Sequence, residues 1–158
     1  MKFTGKQAAH SYRQINNATP DKVFPLLCPV REKDWIEEWD YTMIYSKSGV
    51  AEKGCVFTTP HHGKEVTVWY ITEHDPENYI VEFVRLTPNE EVVKIGIKLE
   101  DNGNGSTTAD ITYQYTGLND AKNEWIETEF EKSFRNSMIG WEKAINHYLK
   151  TGKMLKSS

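Results

Sequence analysis

Four charged or polar side chains of this sequence are candidates for positions that point toward the interior of the protein. Asn123 and Glu127 fall within the apolar face of a predicted C-terminal helix. Glu82 and Arg85 lie on opposite faces of one predicted strand, so one of them must face inward, and the sequence leaves open which. Because isolated charges are costly to bury, such a residue orients a ligand or forms a structural ion pair.

If the protein is an enzyme, these positions limit its chemistry to proton transfer. The candidate groups are Glu127, Glu82, Arg85 and Tyr113. No serine or cysteine stands in a recognisable nucleophile elbow. The glycine pair around Asn104 is followed neither by a helix nor by a lysine-serine pair, so it predicts a turn and not a phosphate loop.

The histidines do not form a metal-binding pattern. His61 and His62 are adjacent, and adjacent residues of a strand point to opposite faces of the sheet. His10, His74 and His147 stand apart without ligand spacing. We therefore expect neither a metal site nor a cofactor.

Composition narrows the class of protein. The 158 residues carry a net charge of −4 without a basic cluster, which argues against nucleic-acid binding. No apolar run reaches the length of a membrane span, and residues 1–14 lack the apolar segment of a signal peptide. We expect one cytoplasmic domain over residues 1–158, with its core at about 8–155. Cys28 and Cys55 fit no zinc or redox spacing and are expected as buried, reduced thiols.

The longest predicted element is one uninterrupted helix over residues 119–151. It contains no proline, Asn119 can cap its start, and Gly152 can adopt the left-handed conformation after its last turn. Apolar residues recur at steps of three and four along one face. They are Ile126, Phe130, Phe134, Met138, Trp141, Ile145 and Tyr148.

Shorter elements precede this helix. A first strand is predicted over residues 10–16. Thr19, Pro20 and Asp21 are typical of a helix start, and a second short helix over residues 31–38 would place Trp35 and Trp39 on one face. Further strands are predicted at residues 41–47, 55–59, 66–74, 79–87, 91–100 and 109–116.

This order resembles the START/Bet v1-like superfamily, also described as the polyketide cyclase/dehydrase and lipid-transport group. The resemblance rests on "NNATPDKVFPLL" from Asn16, "DWIEEW" from Asp34, "SGVAEKGCVFTT" from Ser48 and the helix ending "WEKAINHYLKTGKML" from Trp141. It implies an α+β helix-grip fold: a curved antiparallel sheet of about seven strands around a long C-terminal α-helix, with two short helices after the first strand. The superfamily holds ligand carriers, cyclases and co-chaperone domains, and no fixed catalytic signature can be transferred to this sequence.

The resemblance also implies a cavity between sheet and helix. Aromatic residues make up 12% of the chain and include 5 tryptophans, which indicates a lined interior or a heavy core. The direction of Trp69 on its strand is left open. The residues expected at the cavity are Trp35, Trp39, Trp69, Phe83, Arg85, Ile95, Ile97, Ile111, Tyr113, Tyr115, Asn123, Ile126, Glu127, Phe130, Phe134 and Met138.

Three functions are compatible with these features. The first is binding of a hydrophobic small molecule such as a lipid, an isoprenoid or a polyketide-like ring. The second is a polyketide cyclase/aromatase-like enzyme using the same cavity. The third is a protein-binding, co-chaperone-like module with a surface patch at Trp125 and Ile139, two residues that could equally serve a homodimer.

Overall fold

The computed structural model describes residues 2–61 and 65–157. Within them, 7 strands form one antiparallel sheet in the order β1-β7-β6-β5-β4-β3-β2. The strands are β1 Gln7–Asn16, β2 Thr42–Tyr45, β3 Val56–Pro60, β4 Val66–Asp75, β5 Ile80–Thr87, β6 Glu91–Asp101 and β7 Thr107–Gly117. The helices are α1 Pro20–Val23, continued by a 3₁₀ turn at Phe24–Leu26, α2 Pro29–Trp35, α3 Asp120–Thr128 and α4 Phe130–Thr151. This arrangement confirms the predicted α+β class.

Alternation of apolar and polar residues determines the buried face of the sheet. On β6, Val93, Ile95, Ile97 and Leu99 are all buried, whereas Lys94 and the other intervening residues point the opposite way. Breaks in register between Met43 and Tyr45 on β2, and between Ile71 and Glu73 on β4, bend the sheet so that its apolar face is concave.

The helix after the first strand starts as expected but is capped differently. Pro20 occupies the first turn of α1, and the side chain of Thr19 makes no capping hydrogen bond. The second helix, α2, lies two residues earlier than predicted and ends at Trp35. The shared face predicted for Trp35 and Trp39 is therefore wrong, because the chain has left the helix and passes through a left-handed residue, Glu38, before it reaches Trp39.

The long C-terminal helix is two helices. Asn119 caps α3 by accepting from the Lys122 amide at 2.7 Å, and Gly152 ends α4 in the left-handed conformation, both as predicted. The uninterrupted helix predicted over residues 119–151 is wrong, because the chain breaks at Glu129. In the turn before the break, the Thr128 hydroxyl donates to the carbonyl of Glu124, a bond that tends to bend helices.

The second half of α4 is fastened to the edge strand β1. The Gln14 side chain donates to the carbonyl of Met138 at 3.1 Å, and Glu142 accepts from the amide of Ile15 at 2.7 Å. The Asn146 amide donates to the carbonyl of Ile15 at 2.9 Å. We call residues 142–151 the clamped end of the helix pair and residues 120–141, which include all of the helix residues that line the cavity, the cavity end.

Candidate functional site

A cavity of about 170 Å³ lies between the concave face of the sheet and the helix pair. β5 and β7 contribute its sheet side, and both helices contribute the other side. Its lining consists of Arg85, Tyr113, Tyr115, Trp125, Phe130, Ser133, Phe134, Ser137, Met138 and Trp141. The wall is therefore mainly aromatic, with polar groups from a few positions.

Strand and helix periodicity bring the aromatic walls together. Tyr113 and Tyr115 are two residues apart on β7 and point to the same side of the sheet. Phe130 packs against Tyr115 with ring centroids 4.5 Å apart, and Phe134 packs against Tyr113 at 5.0 Å. Trp125 reaches Tyr115 from α3 at 5.1 Å. These ring contacts close the cavity end without filling it.

Arg85 is the charged residue of β5 that faces inward. Its Nη2 donates to the Tyr115 hydroxyl at 2.6 Å, and its Nη1 lies 3.4 Å from a carboxylate oxygen of Glu91. The guanidinium carbon also lies 5.5 Å from the ring centres of Trp69 and Tyr115. Burial acts to lower the pKa of Arg85, but Tyr115 and Glu91 outweigh it and raise that pKa, so the guanidinium stays charged.

A chain of alternating charges connects Arg85 to the end of the sheet. Lys122 lies 3.0 Å from Glu91 and 3.4 Å from Glu90, and Glu90 lies 2.6 Å from the His61 ring. Partial burial raises the pKa of Glu90, but the hydrogen bond from His61 and the charge of Lys122 dominate and lower it. Arg85 and Lys122 therefore carry two positive charges beside the cavity, and Glu90 and Glu91 carry two negative ones. This balance does not include any charge on His61.

Tyr113 differs from Tyr115, two residues along the same strand, in the hydrogen bonding of its hydroxyl. Within residues 2–61 and 65–157, no hydrogen bond is made by the Tyr113 hydroxyl, although the residue lines the cavity. Burial, opposed by the charge of Arg85, raises the pKa of Tyr113, so the hydroxyl keeps its proton at physiological pH.

Glu32 is a functional candidate that the sequence analysis missed. It lies on α2, its residue is only 7% exposed, and burial raises its pKa to about 8. Glu32 does not belong to the cavity lining, but its charge acts on Tyr113, which does. The sequence signal was its position three residues before Trp35, which places both on one side of a helix.

The structure brings together part of the predicted site. Six expected residues line the cavity: Arg85, Tyr113, Tyr115, Phe130, Phe134 and Met138. Trp125, Ser133, Ser137 and Trp141 line it as well and were not expected there. Trp125 was predicted to lie off the apolar face, and that prediction is wrong because the break at Glu129 turns α3 relative to α4.

A second group of expected residues belongs to the core instead of the cavity lining. Trp69 faces inward, like Ile71 on the same strand, and contacts Arg85 without reaching the cavity. Trp35, expected near the opening, is fully buried and donates to the carbonyl of Leu26. The other expected residues outside the lining are Trp39, Phe83, Ile95, Ile97, Ile111 and Ile126.

Three expected polar residues do not face the interior. Asn123 accepts from the amide of Lys6 at 2.8 Å and so holds the N-terminal segment along α3. Glu127 is half exposed and pairs with the ammonium of Lys6 at 2.5 Å. Glu82 points away from the cavity, where it accepts from the Thr72 hydroxyl at 2.8 Å. The N-terminal segment occupies the side of α3 that was expected to face the sheet.

The part of the chain that the structure describes contains no candidate metal centre. Within residues 2–61 and 65–157, no three His, Cys, Asp or Glu side chains form a group that could hold a metal ion. His62 lies outside the described residues. Both cysteines are free and buried, as expected. No helix in the described part of the chain has the length and apolar character needed to cross a membrane.

Comparison with known proteins assigns the fold. The sequence matches no family model and no curated protein. The structure of Ara h 8.0201 has a TM-score of 0.68 at 18% identity, covering 92% of this chain and 99% of that one. The Zhui aromatase/cyclase from Streptomyces sp. R1128 has 0.67 at 9% identity, covering 95% and 100%. Norcoclaurine synthase from Thalictrum flavum, in complex with dopamine and hydroxybenzaldehyde, has 0.65 at 12% identity, covering 98% and 91%.

These likenesses confirm the Bet v1-like helix-grip fold expected from the sequence. They concern the fold alone, because the same architecture carries binding proteins and enzymes of different chemistry.

Proposed function

We propose that this protein binds a hydrophobic small molecule in the cavity between the sheet and the C-terminal helix pair. The observation that carries the proposal is the cavity itself: aromatic rings surround a space that their side chains do not fill. Burial of apolar ligand surface would supply most of the affinity, and a few polar groups would orient the ligand.

The size of the cavity favours a compact ring over a long chain. A volume of about 170 Å³ is close to the roughly 150 Å³ of an engineered apolar cavity that binds benzene. Drug-sized ligands occupy pockets of about 300–1,000 Å³. A compound of one or two rings therefore suits the cavity, whereas a lipid or isoprenoid chain would require α3 to move outward.

The fold is compatible with ligands of this size. One solved structure with the same fold, norcoclaurine synthase, is in complex with dopamine and hydroxybenzaldehyde. Both are single-ring molecules. This supports the size argument and does not identify the ligand of the present protein.

Binding can be measured by fluorescence, because Trp125 and Trp141 line the cavity. We expect one- and two-ring aromatic compounds to give saturable changes in tryptophan emission. Ser137→Phe should fill the cavity and weaken binding at least about tenfold, since an occupied site loses most of the buried contact area. Asn136→Phe is the matched control, because Asn136 is exposed on the same helix but does not line the cavity. Absence of saturable binding by any of these compounds to the folded wild-type protein would contradict the proposal.

The second candidate, a cyclase-like enzyme, is favoured by one observation. Glu32 is a buried carboxyl group that stays protonated near neutral pH, and it lies close enough to Tyr113 that its charge, once ionised, raises the pKa of that tyrosine. A group of this kind can donate a proton to a bound substrate, provided that it comes within hydrogen-bond reach. If it does, Glu32→Gln should lower the rate by about two to four orders of magnitude and leave binding intact. Loss of binding and rate together would indicate a structural role.

A further inference from the structure

The polar groups of the cavity restrict the choice of ligand more closely than the cavity volume does. Those on the sheet side are held on β5 and β7, where the hydrogen bonds of the sheet fix their positions, and the hydroxyls of Ser133 and Ser137 come from α4. Two of them, the Tyr113 hydroxyl and the Arg85 guanidinium, are donors at physiological pH. The question is what ligand atom they would recognise.

The Arg85 guanidinium has donors to spare. Of its five N–H groups, one bonds to Tyr115, and Nη1 faces Glu91 at a distance of 3.4 Å. Its Nε has no hydrogen-bond partner in the described part of the chain, although the atom is buried. The side chain keeps 20% exposure and lines the cavity. The Nε atom itself is closed to a ligand, so the donors within a ligand's reach are the unused N–H groups at the exposed part of the guanidinium.

Tyr113 offers its donor to the same region. The rings of Tyr113 and Tyr115 are nearly parallel, with centroids 6.5 Å apart, and Arg85 is bonded to the second of them. Tyr113 and Arg85 line the same cavity, so a ligand held there lies beside both donors.

The surrounding charges select the kind of acceptor. The charges of Arg85 and Lys122 are already balanced by Glu90 and Glu91. An anionic ligand would add an uncompensated negative charge close to Glu91, which is almost fully buried. Such a charge is costly in a partly desolvated site. A neutral oxygen acceptor can take both hydrogen bonds without this penalty.

We infer that the ligand is a neutral aromatic carbonyl compound whose oxygen accepts hydrogen bonds from Tyr113 and Arg85. The inference rests on the proposed binding function and specifies the ligand class. The aromatic walls enclose the ring, and the two donors on β5 and β7 fix the direction of the carbonyl group. Such a site would discriminate among ligands of equal size by the polarity and charge of a single substituent.

Three compounds of similar size separate the alternatives. Acetophenone carries a neutral carbonyl, cumene has nearly the same shape without one, and benzoate carries a charge. Acetophenone should bind the wild-type protein about tenfold more tightly than cumene, the effect of about one good hydrogen bond, and benzoate should bind more weakly than acetophenone. The infrared carbonyl stretch of bound acetophenone should shift to lower frequency than in an apolar solvent.

The variant that tests the inference is Tyr113→Phe, which keeps the ring and removes the hydroxyl. It should weaken acetophenone binding about tenfold, change cumene binding by less than about twofold, and reduce the infrared shift. Tyr70→Phe is the control, since Tyr70 is exposed and outside the cavity. Chemical denaturation of each variant checks that it is folded.

Each outcome has a defined meaning. Equal affinities for acetophenone and cumene, unchanged acetophenone binding in folded Tyr113→Phe, or tighter binding of benzoate would overturn the inference and leave the proposed binding function standing. Failure of all three compounds, and of the larger two-ring compounds, to bind the wild-type protein would overturn the proposed function as well.

Discussion

The two ends of the C-terminal helix pair differ in how their side chains are packed and bonded. At the clamped end, polar side chains of α4 pair with the backbone of β1, and Ile145 is buried in the core. Trp141 packs edge-on against Trp35 at 5.4 Å, between this end and the cavity. At the cavity end, aromatic residues touch one another but leave a space. Among the residues that the structure describes, the Tyr113 hydroxyl and the Nε of Arg85 have no hydrogen-bond partner.

This difference indicates that one end of the helix pair contributes mainly to stability, whereas the other end has groups available to bind a ligand. The polar side chains of α4 at the clamped end are satisfied by β1, so a change there removes existing interactions, although the buried Oδ1 of Asn16 on β1 has no partner in the described part of the chain. The unsatisfied groups at the cavity end reduce stability slightly and are available to a ligand. Each prediction below tests whether the two ends are as different as the structure indicates.

The largest effect is expected in the closed core beside the clamped end. Trp35→Ala should destabilise the protein by about 3–5 kcal/mol, because it removes a fully buried ring and leaves the Leu26 carbonyl without its donor. Phe134→Ala should cost less, about 1–2 kcal/mol, because Phe134 already borders an empty space. Urea denaturation measures both. Equal losses at the two positions would mean that the cavity end is packed as tightly as the clamped end.

The next effect concerns pH and the buried acid of α2. The pKa of Glu32 is about 8 in the folded protein against an ordinary value of 4.5, so the folded state holds the proton over this window. Protonated Glu32 contributes fully to the stability of the folded protein below pH 4.5, and this contribution is lost as the pH rises toward 8. Glu32→Gln should match the wild type to within about 1 kcal/mol near pH 5 and be more stable than the wild type by about 4–5 kcal/mol at pH 8.5.

Glu124→Gln is the control for this experiment, because Glu124 is an exposed carboxylate on α3. It measures how much the loss of an exposed charge alters stability over the same pH range. A difference from the wild type that does not vary with pH for Glu32→Gln would show that Glu32 ionises freely in the folded protein.

The ion-pair chain at the cavity end should be sensitive to one substitution. Glu91→Gln removes the shared counter-charge of Arg85 and Lys122 and should cost about 3 kcal/mol in the free energy of unfolding. Glu82→Gln, which alters the exposed pair with Lys94, should cost less than about 1 kcal/mol. The two variants differ in burial and not in chemistry, so similar losses would argue against a desolvated network beside the cavity.

The smallest effect is expected at Glu127, a residue that the sequence placed at the cavity. Its pair with Lys6 is half exposed, so Glu127→Gln should change stability by less than about 1 kcal/mol. Ligand titrations should give unchanged affinities, since Glu127 does not line the cavity. A marked loss of affinity would place Glu127 closer to the ligand than the structure does.

The sequence by itself determined the order of the strands and helices along the chain and the buried face of β6. Strand alternation identified the inward positions of β6, and helical periodicity identified Phe130, Phe134 and Met138. Asn119 and Gly152 were recognised as helix ends from their own backbone chemistry. These features are local, since each depends on residues within one or two turns or on the period of a single strand.

Only the tertiary structure decided which polar groups reach the cavity. Arg85 and Glu82 alternate on β5, and the choice between them depends on how β5 pairs with its neighbours. The break at Glu129 turned Trp125 inward, and the N-terminal segment took Asn123 and Glu127 as partners. Period alone cannot reveal these outcomes, because they depend on contacts between different elements, such as the bond between Lys6 and Asn123, which are 117 residues apart.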